Sequence, residues 1–214
     1  METLIDEKIE IYCEEHTSCE SELLAKLNRE THLKILRPRM LSGHLQGQLL
    51  TMLSKMIAPK YILEIGTYTG YSALCLAEGL QENGELHTIE IDLELEDFIR
   101  HFFEKSNFQS QIKLHIGDAL TWINKIGLPW DLVFIDAEKK EYLSYYNAIL
   151  PLIRKGGYIL VDNVLWNGKI IEPVAKNDED TKAILAFNDY IQNDKRVKNL
   201  LLPFRDGMMI IEKL

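Results

Sequence analysis

Asp136 closes the apolar run Asp131-Leu-Val-Phe-Ile, and Asp162 with Asn163 closes the run Tyr158-Ile-Leu-Val. Strands that follow one another in sequence are usually spatial neighbours, so these three oxygen donors are expected to meet at one sheet edge. Two carboxylates and an amide are hard ligands, too few to enclose an ion. They suit a divalent cation, Mg²⁺ first and Ca²⁺ or Mn²⁺ as alternatives, which keeps waters and takes further oxygens from a substrate. The competing reading makes Asp136 a cap for the segment after it and Asp162-Asn163 a turn. The absence of a His/Cys set at metal spacing argues against zinc.

A second constellation lies upstream. Ile62-Leu-Glu-Ile-Gly-Thr-Tyr-Thr-Gly-Tyr-Ser-Ala-Leu74 runs from a β-branched apolar strand through glycines 66 and 70 into a helix. A turn of this kind presents backbone N–H groups at the carboxyl edge of a sheet, where open α/β sheets bind ligands. A dinucleotide fingerprint needs a middle glycine there so that a pyrophosphate can approach, and here that place is Tyr68. A ligand with a nucleoside and only a small carboxylate needs less of that space; S-adenosylmethionine is such a ligand. Glu90 falls about 20 residues beyond the turn, where an acid accepts the ribose hydroxyls. A strand-end acid could instead cap the next helix, a task open to Asp92. Gly117, Asp118 and Ala119 end the next strand where an adenine edge would lie, with Asp118 as a helix cap the alternative.

These residues need a scaffold, and the chain can supply one. Its 214 residues and 24.8 kDa fit one domain with a full core; 46% hydrophobic and 27% charged residues are an ordinary globular balance. A net charge of -9 argues against long-range attraction to nucleic acid or anionic membranes and favours a small-molecule partner. No apolar run reaches the roughly 20 residues needed to span a bilayer. Cys13, Cys19 and Cys75 are odd in number and widely spaced, and the acidic start does not read as a signal peptide. A cytoplasmic protein whose cysteines simply pack is the expectation.

Up to about residue 57 the pattern is helical, with Leu4, Ile5, Ile9 and Tyr12 at three- and four-residue steps, Leu23, Leu24 and Leu27 later, a connection over 37–47, and a helix from Gln48 to Ile57. From residue 58 short apolar strands alternate with helical spacers: Tyr61–Ile65, Leu86–Ile91, Ile112–Ile116, Leu132–Ile135 and Tyr158–Val161. That alternation predicts parallel βαβ units. Val197–Phe204 and Met208–Glu212, joined through Arg205-Asp206-Gly207, read as an antiparallel hairpin. The fold class is therefore α/β, a doubly wound Rossmann-like sheet behind a helical preface (1–57), with the core over 58–214.

The set Glu64-x-Gly66-x-x-x-Gly70-Tyr71-Ser72, Glu90, Gly117-Asp118-Ala119, Asp136-Ala-Glu-Lys139 and Asp162-Asn163-Val-Leu-Trp166-Asn-Gly168 resembles the metal-dependent class I O-methyltransferases, the catechol and caffeoyl-CoA O-methyltransferase family. Met40-Leu-Ser-Gly-His-Leu-Gln-Gly-Gln48 and the Asp206-Gly207 hairpin are similar to that family as well. The resemblance implies a seven-stranded, mostly parallel sheet in the order 3-2-1-4-5-7-6. It implies S-adenosylmethionine held by Met40, Ser42, Glu64, Gly66, Ser72, Glu90, Gly117, Asp118, Ala119 and Asp136, and a divalent metal on Asp136, Asp162 and Asn163. It implies Lys139 as the base for the reacting hydroxyl, an aromatic diol as acceptor, and a homodimer. Trp166, Tyr142 and the 169–180 segment could frame the aromatic ring. The rivals are methylation of a hydroxylated uridine in tRNA, which would need a local basic patch built from Arg37, Arg39, Lys139, Lys140, Lys169 and Arg205; a nicotinamide-dependent oxidoreductase, disfavoured by Tyr68; and a non-catalytic binding protein.

Overall fold

The computed structural model describes residues 6–214, so Leu4 and Ile5 of the first helical stripe lie outside the described residues. Three helices come first: α1 (Glu7–Glu15), α2 (Glu22–Lys34) and α3 (Gly43–Ile57). Ser21 caps α2 by accepting from the Leu24 N–H, and α2 buries Leu24 and Leu27. The expected connection over 37–47 is shorter than its composition suggested, because α3 already begins at Gly43. Gly47 is kept inside this helix by close packing on α4 (Tyr71–Ala77): a Cβ there would stand 2.6 Å from Tyr71 Cε1 and 2.9 Å from Cys75 Sγ. Contact between the two helices outweighs glycine's poor helix propensity.

The seven strands are β1 (Tyr61–Ile65), β2 (Glu85–Glu90), β3 (Ile112–Ile116), β4 (Trp130–Ile135), β5 (Ile153–Asp162), β6 (Val197–Leu202) and β7 (Met208–Lys213). They lie in the order β3-β2-β1-β4-β5-β7-β6, parallel from β1 to β5, with β7 antiparallel to both β5 and β6. This is the sheet that the resemblance implied. The second strand ends one residue before its expected limit, leaving Ile91 beyond the pairing and exposed.

Alternation along each strand builds two cores. Leu63, Ile65, Val133, Ile135 and Val161 pack with α6 (Ala119–Ile126), α7 (Tyr142–Ile149) and α8 (Glu179–Asn193) on one face. Ile62, Leu132, Phe134 and Leu160 pack with α2, α3, α4 and α5 (Glu96–Phe103) on the other. Burial on both faces is why these strands read as unbroken apolar runs. The strand order reverses between β1 and β4, which opens a crevice beyond their carboxyl ends.

Register at the opposite end of the sheet is pinned by Asp131. Its Oδ2 accepts from the Lys60 and Tyr61 N–H groups, each at 2.8 Å, and Oδ1 accepts from Arg154. Asp131→Ala removes a charged acceptor from two backbone donors and is expected to lower the unfolding free energy by about 2–3 kcal/mol in urea titrations.

Candidate active site

The turn after β1 is built on left-handed backbone: Gly66 has φ +98°, Tyr68 φ +50° and Gly70 φ +89°. The N–H groups of Gly66 and Thr67 both point at the Ile89 carbonyl, at 3.0 and 3.2 Å, which lays the turn across the end of β2. Glu90 locks it from below, accepting from the Tyr68 N–H at 2.6 Å through Oε2 and from the Asp92 N–H at 2.9 Å through Oε1. The Tyr68 ring leaves the turn sideways, its hydroxyl donating to the Leu36 and Arg37 carbonyls at 3.0 and 3.1 Å. Burial pushes the Glu90 carboxyl above its ordinary value, although the backbone N–H groups of Asp92, Tyr68 and Ile91 oppose the shift.

Above this turn opens a cavity of about 760 Å³. Met40, Ser42, Gly66, Ser72, Glu90, Gly117, Asp118, Ala119, Asp136, Lys139, Asp162 and Asn163 all line it. Asp118 lines the cavity and also caps α6, accepting from the Thr121 N–H at 2.8 Å. Asp92 caps the short turn after β2 by accepting from Glu94 N–H. Glu64 stands apart from the lining: it is fully buried beneath the turn, its Oε2 accepting from the Thr88 hydroxyl. Among the described residues its Oε1 has no hydrogen-bond partner. Burial pushes the Glu64 carboxyl up to about 8; the neighbouring Ser72 and Thr88 hydroxyls oppose the rise, and Asp136 and Glu90 add to it.

Asp136 and Asn163, beyond the ends of β4 and β5, meet on one lysine. Lys139 Nζ donates to Asn163 Oδ1 at 2.7 Å and to Asp136 Oδ1 at 3.2 Å, so two of the three oxygen donors converge on one positive charge. Its ammonium also lies 5.1 Å from the Tyr142 ring centroid and 5.8 Å from that of Trp166. Asp162 is buried, with Oδ1 accepting from the Asn163 N–H at 2.8 Å and Oδ2 from Gln46 Nε2 at 2.7 Å. Burial and then the Asp136 charge push its carboxyl up. Asp136 does not cap the segment after it; Asp162 is the last residue of β5, its side chain accepting from the next N–H, and Asn163 follows at φ +58°.

Oxygen donors of this type fit a hard divalent cation: two carboxylates in mutual repulsion, beside an amide oxygen already turned toward a cation, gain from added positive charge. Among the described residues no group of three or more His, Cys, Asp or Glu gathers that could hold a metal ion without an amide oxygen.

Several expectations are corrected. Tyr142 does not frame the cavity; it is fully buried in the core, its hydroxyl donating to the Asp162 carbonyl at 2.9 Å. Of 169–180, only Asp180 reaches the lining. Cys13 and Cys19 are exposed, not packed, and only Cys75 is buried. Of the six cations that a tRNA site would draw on, Arg37, Arg39, Lys139 and Arg205 line the cavity, Arg205 turned inward onto Ser42 and Gln46, whereas Lys140 faces Asp180 at 3.6 Å and Lys169 faces Asp178 at 3.3 Å. Residue reasoning missed Ile9, Glu10 and Cys13 of α1, and Leu45, Gln46 and Tyr145, all of which line the cavity. Gln46 lay inside a stretch already marked, but a lone amide on a helix gives no signal of its own.

The chain belongs to the O-methyltransferase family that includes the caffeoyl-CoA and catechol enzymes: the family model described as O-methyltransferase matches residues 14–214. It is thereby an S-adenosylmethionine-dependent O-methyltransferase. A Dictyostelium discoideum relative named "Probable caffeoyl-CoA O-methyltransferase 2" is 33% identical over 208 residues, covering 95% of this chain and 90% of its own. The Podospora anserina methyltransferase PaMTH1, solved with bound S-adenosylhomocysteine, superposes with a TM-score of 0.88 at 29% identity, over 97% of this chain and 94% of its own. TomG, an O-methyltransferase of Streptomyces achromogenes solved with S-adenosylmethionine, gives a TM-score of 0.87 at 26% identity, over 96% of each chain. Among the described residues no helix is long and apolar enough to cross a membrane.

Proposed function

We propose that the protein methylates one hydroxyl of a small catechol-like or caffeoyl-type aromatic diol, with a divalent cation held by Asp136, Asp162 and Asn163 and with Lys139 as the base. The observation that carries this reading is the convergence of Asp136 and Asn163 on Lys139 Nζ in the cavity that the cofactor turn also lines. When bound, Mg²⁺ or a similar ion would favour ionisation of a coordinated hydroxyl, and the cofactor would supply the methyl group. Lys139 Nζ takes the proton of the reacting hydroxyl, and Trp166 offers an aromatic wall beside it. Glu90 receives the ribose, Gly117 to Ala119 the adenine edge, and Met40, Ser42, Gly66 and Ser72 enclose the methionine end, with Glu64 beneath its amino group.

The test is mass-spectrometric detection of methyl transfer to catechols, caffeate-type acids and caffeoyl-CoA, with Mg²⁺ and with EDTA. A product that vanishes with EDTA is expected; transfer unchanged by EDTA would sink the metal role. The net charge of -9, and the pairing of Lys140 and Lys169 with acids away from the cations at the cavity, favour a small acceptor over tRNA, which needs a continuous basic face.

The buried Glu64 makes this assignment pH-sensitive. Its folded-state value is raised from 4.5 to about 8, so between those values the folded protein keeps a proton that the unfolded chain has released. Cofactor-free stability from this group is therefore full below pH 4.5 and is lost as pH rises toward about 8. Glu64→Gln should flatten that slope in denaturation series. Near pH 7, binding of the cofactor's ammonium should expel the proton, seen by calorimetry in buffers of different ionisation heat.

A homodimer completes the reading, supported by apolar side chains left exposed on and after α2 and on α3: Leu33, Leu36, Met52 and Met56. Light scattering should give about twice the 24.8 kDa chain mass; a monomer would refute the homodimer.

A further inference from the structure

Gln46 is 1% exposed, yet it is a polar side chain with both ends of its amide engaged. Nε2 donates to Asp162 Oδ2 at 2.7 Å, and Oε1 accepts from Arg205 Nη1. The same Arg205 nitrogen donates to the Ser42 carbonyl at the start of α3. The orientation of the amide follows from its neighbours: a guanidinium can only donate and so faces the amide oxygen, while the Asp162 carboxylate accepts from the amide nitrogen. Arg205 reaches this place from the turn between β6 and β7 with φ +49°, a backbone region that costs a non-glycine residue about 1–2 kcal/mol. A strained arginine aimed at a buried amide, which in turn holds a site carboxylate, is unusual for a hairpin turn whose task is only to reverse the chain.

From this geometry we infer that Gln46 and Arg205 are positioning residues for Asp162, a relay through which the hairpin turn and the head of α3 fix the carboxylate for the divalent cation. The inference rests on the metal reading given above. A carboxylate has about four lone-pair sites. The Asn163 N–H and Gln46 take one on each oxygen, which sets the plane of the group and leaves one on each for a further partner. Without Gln46, Oδ2 loses its only side-chain partner and Arg205 loses an acceptor. Without Arg205, the buried amide oxygen loses its donor and Asp162 alone is left to orient the amide.

Two variants test this. Gln46→Met keeps side-chain length and removes both polar ends. Arg205→Gly removes the guanidinium and places glycine where the backbone is already left-handed, so the fold should not suffer. Mn²⁺ affinity of the S-adenosylhomocysteine-loaded protein would be measured by calorimetry, beside S-adenosylhomocysteine affinity and melting temperature. The expected result is a Mn²⁺ Kd raised about 10–100-fold in both variants, the range seen when partners of metal ligands are removed. S-adenosylhomocysteine affinity and, for Arg205→Gly, melting temperature should hold. Wild-type Mn²⁺ affinity in both variants would overturn the relay while leaving the metal reading intact. A loss of Mn²⁺ affinity matched by equal losses in the other two quantities would also overturn it, marking a structural role. Wild-type protein that binds no Mn²⁺ would remove the metal reading and the relay together.

Discussion

Replacing Lys139 with methionine is expected to cut the methyl-transfer rate constant by about 10²–10⁴-fold, the usual cost of losing a positioned general base. S-adenosylhomocysteine affinity should stay within about two-fold if, as proposed, the lost interaction serves the reacting hydroxyl and not the cofactor. The prediction must be separated from a simpler role, in which Lys139 only neutralises Asp136, its partner at 3.2 Å. Arginine makes the separation. It preserves the charge but effectively never gives up its proton, so Lys139→Arg should be as slow as Lys139→Met if the side chain moves a proton. Single-turnover rates decide the matter: recovery of the wild-type rate by arginine would leave Lys139 a counter-charge and require another base. Cofactor-free Lys139→Met should also bring Asp136 and Asn163 together without a cation, so its stability should recover on adding Mg²⁺.

What could be read before the fold was known follows a physical division. Asp136, Asp162 and Glu90 were legible because parallel strands buried on both faces show as apolar runs, and an acid at the carboxyl end of such a run stands out. The turn at Gly66 to Gly70 was legible for the same reason. Contacts made by helical side chains across the chain were not. Gln46 meets Asp162 only after α3 crosses the end of β5, and Tyr145 enters the cavity only because α7 is laid down beside it. Tyr142 was misplaced because its spacing from Lys139 says nothing about direction: on α7 it points to the Asp162 carbonyl, bracing that residue from behind. The role of Gly66 was legible as a turn, but its tightest constraint comes from a strand distant in sequence.

That constraint gives the second large effect. Gly66→Ala is expected to lower stability by about 3–5 kcal/mol, in the range reserved for backbone conflict in a core, and to abolish measurable cofactor binding. At φ +98° a side chain is already strained, and an added Cβ would stand 1.9 Å from the Asp136 carbonyl oxygen and 2.8 Å from its carbonyl carbon. Both obstacles are main chain, so no rotamer change can relieve them. The ends of β1 and β4 are held together there by the Asp136 N–H donating to the Ile65 carbonyl at 2.9 Å. Relief therefore means parting the two strands at the place that carries both the Gly66 to Gly70 turn and Asp136. Gly127 is the control: it has φ +60° after α6, and an added Cβ would meet nothing within 4 Å. Gly127→Ala should therefore cost only about 1–2 kcal/mol, the penalty for left-handed backbone alone. Urea unfolding and S-adenosylhomocysteine calorimetry on the two variants separate the terms. Equal losses of stability with cofactor affinity kept in both would show that β1 and β4 can part freely, and the link between the turn and Asp136 would fail.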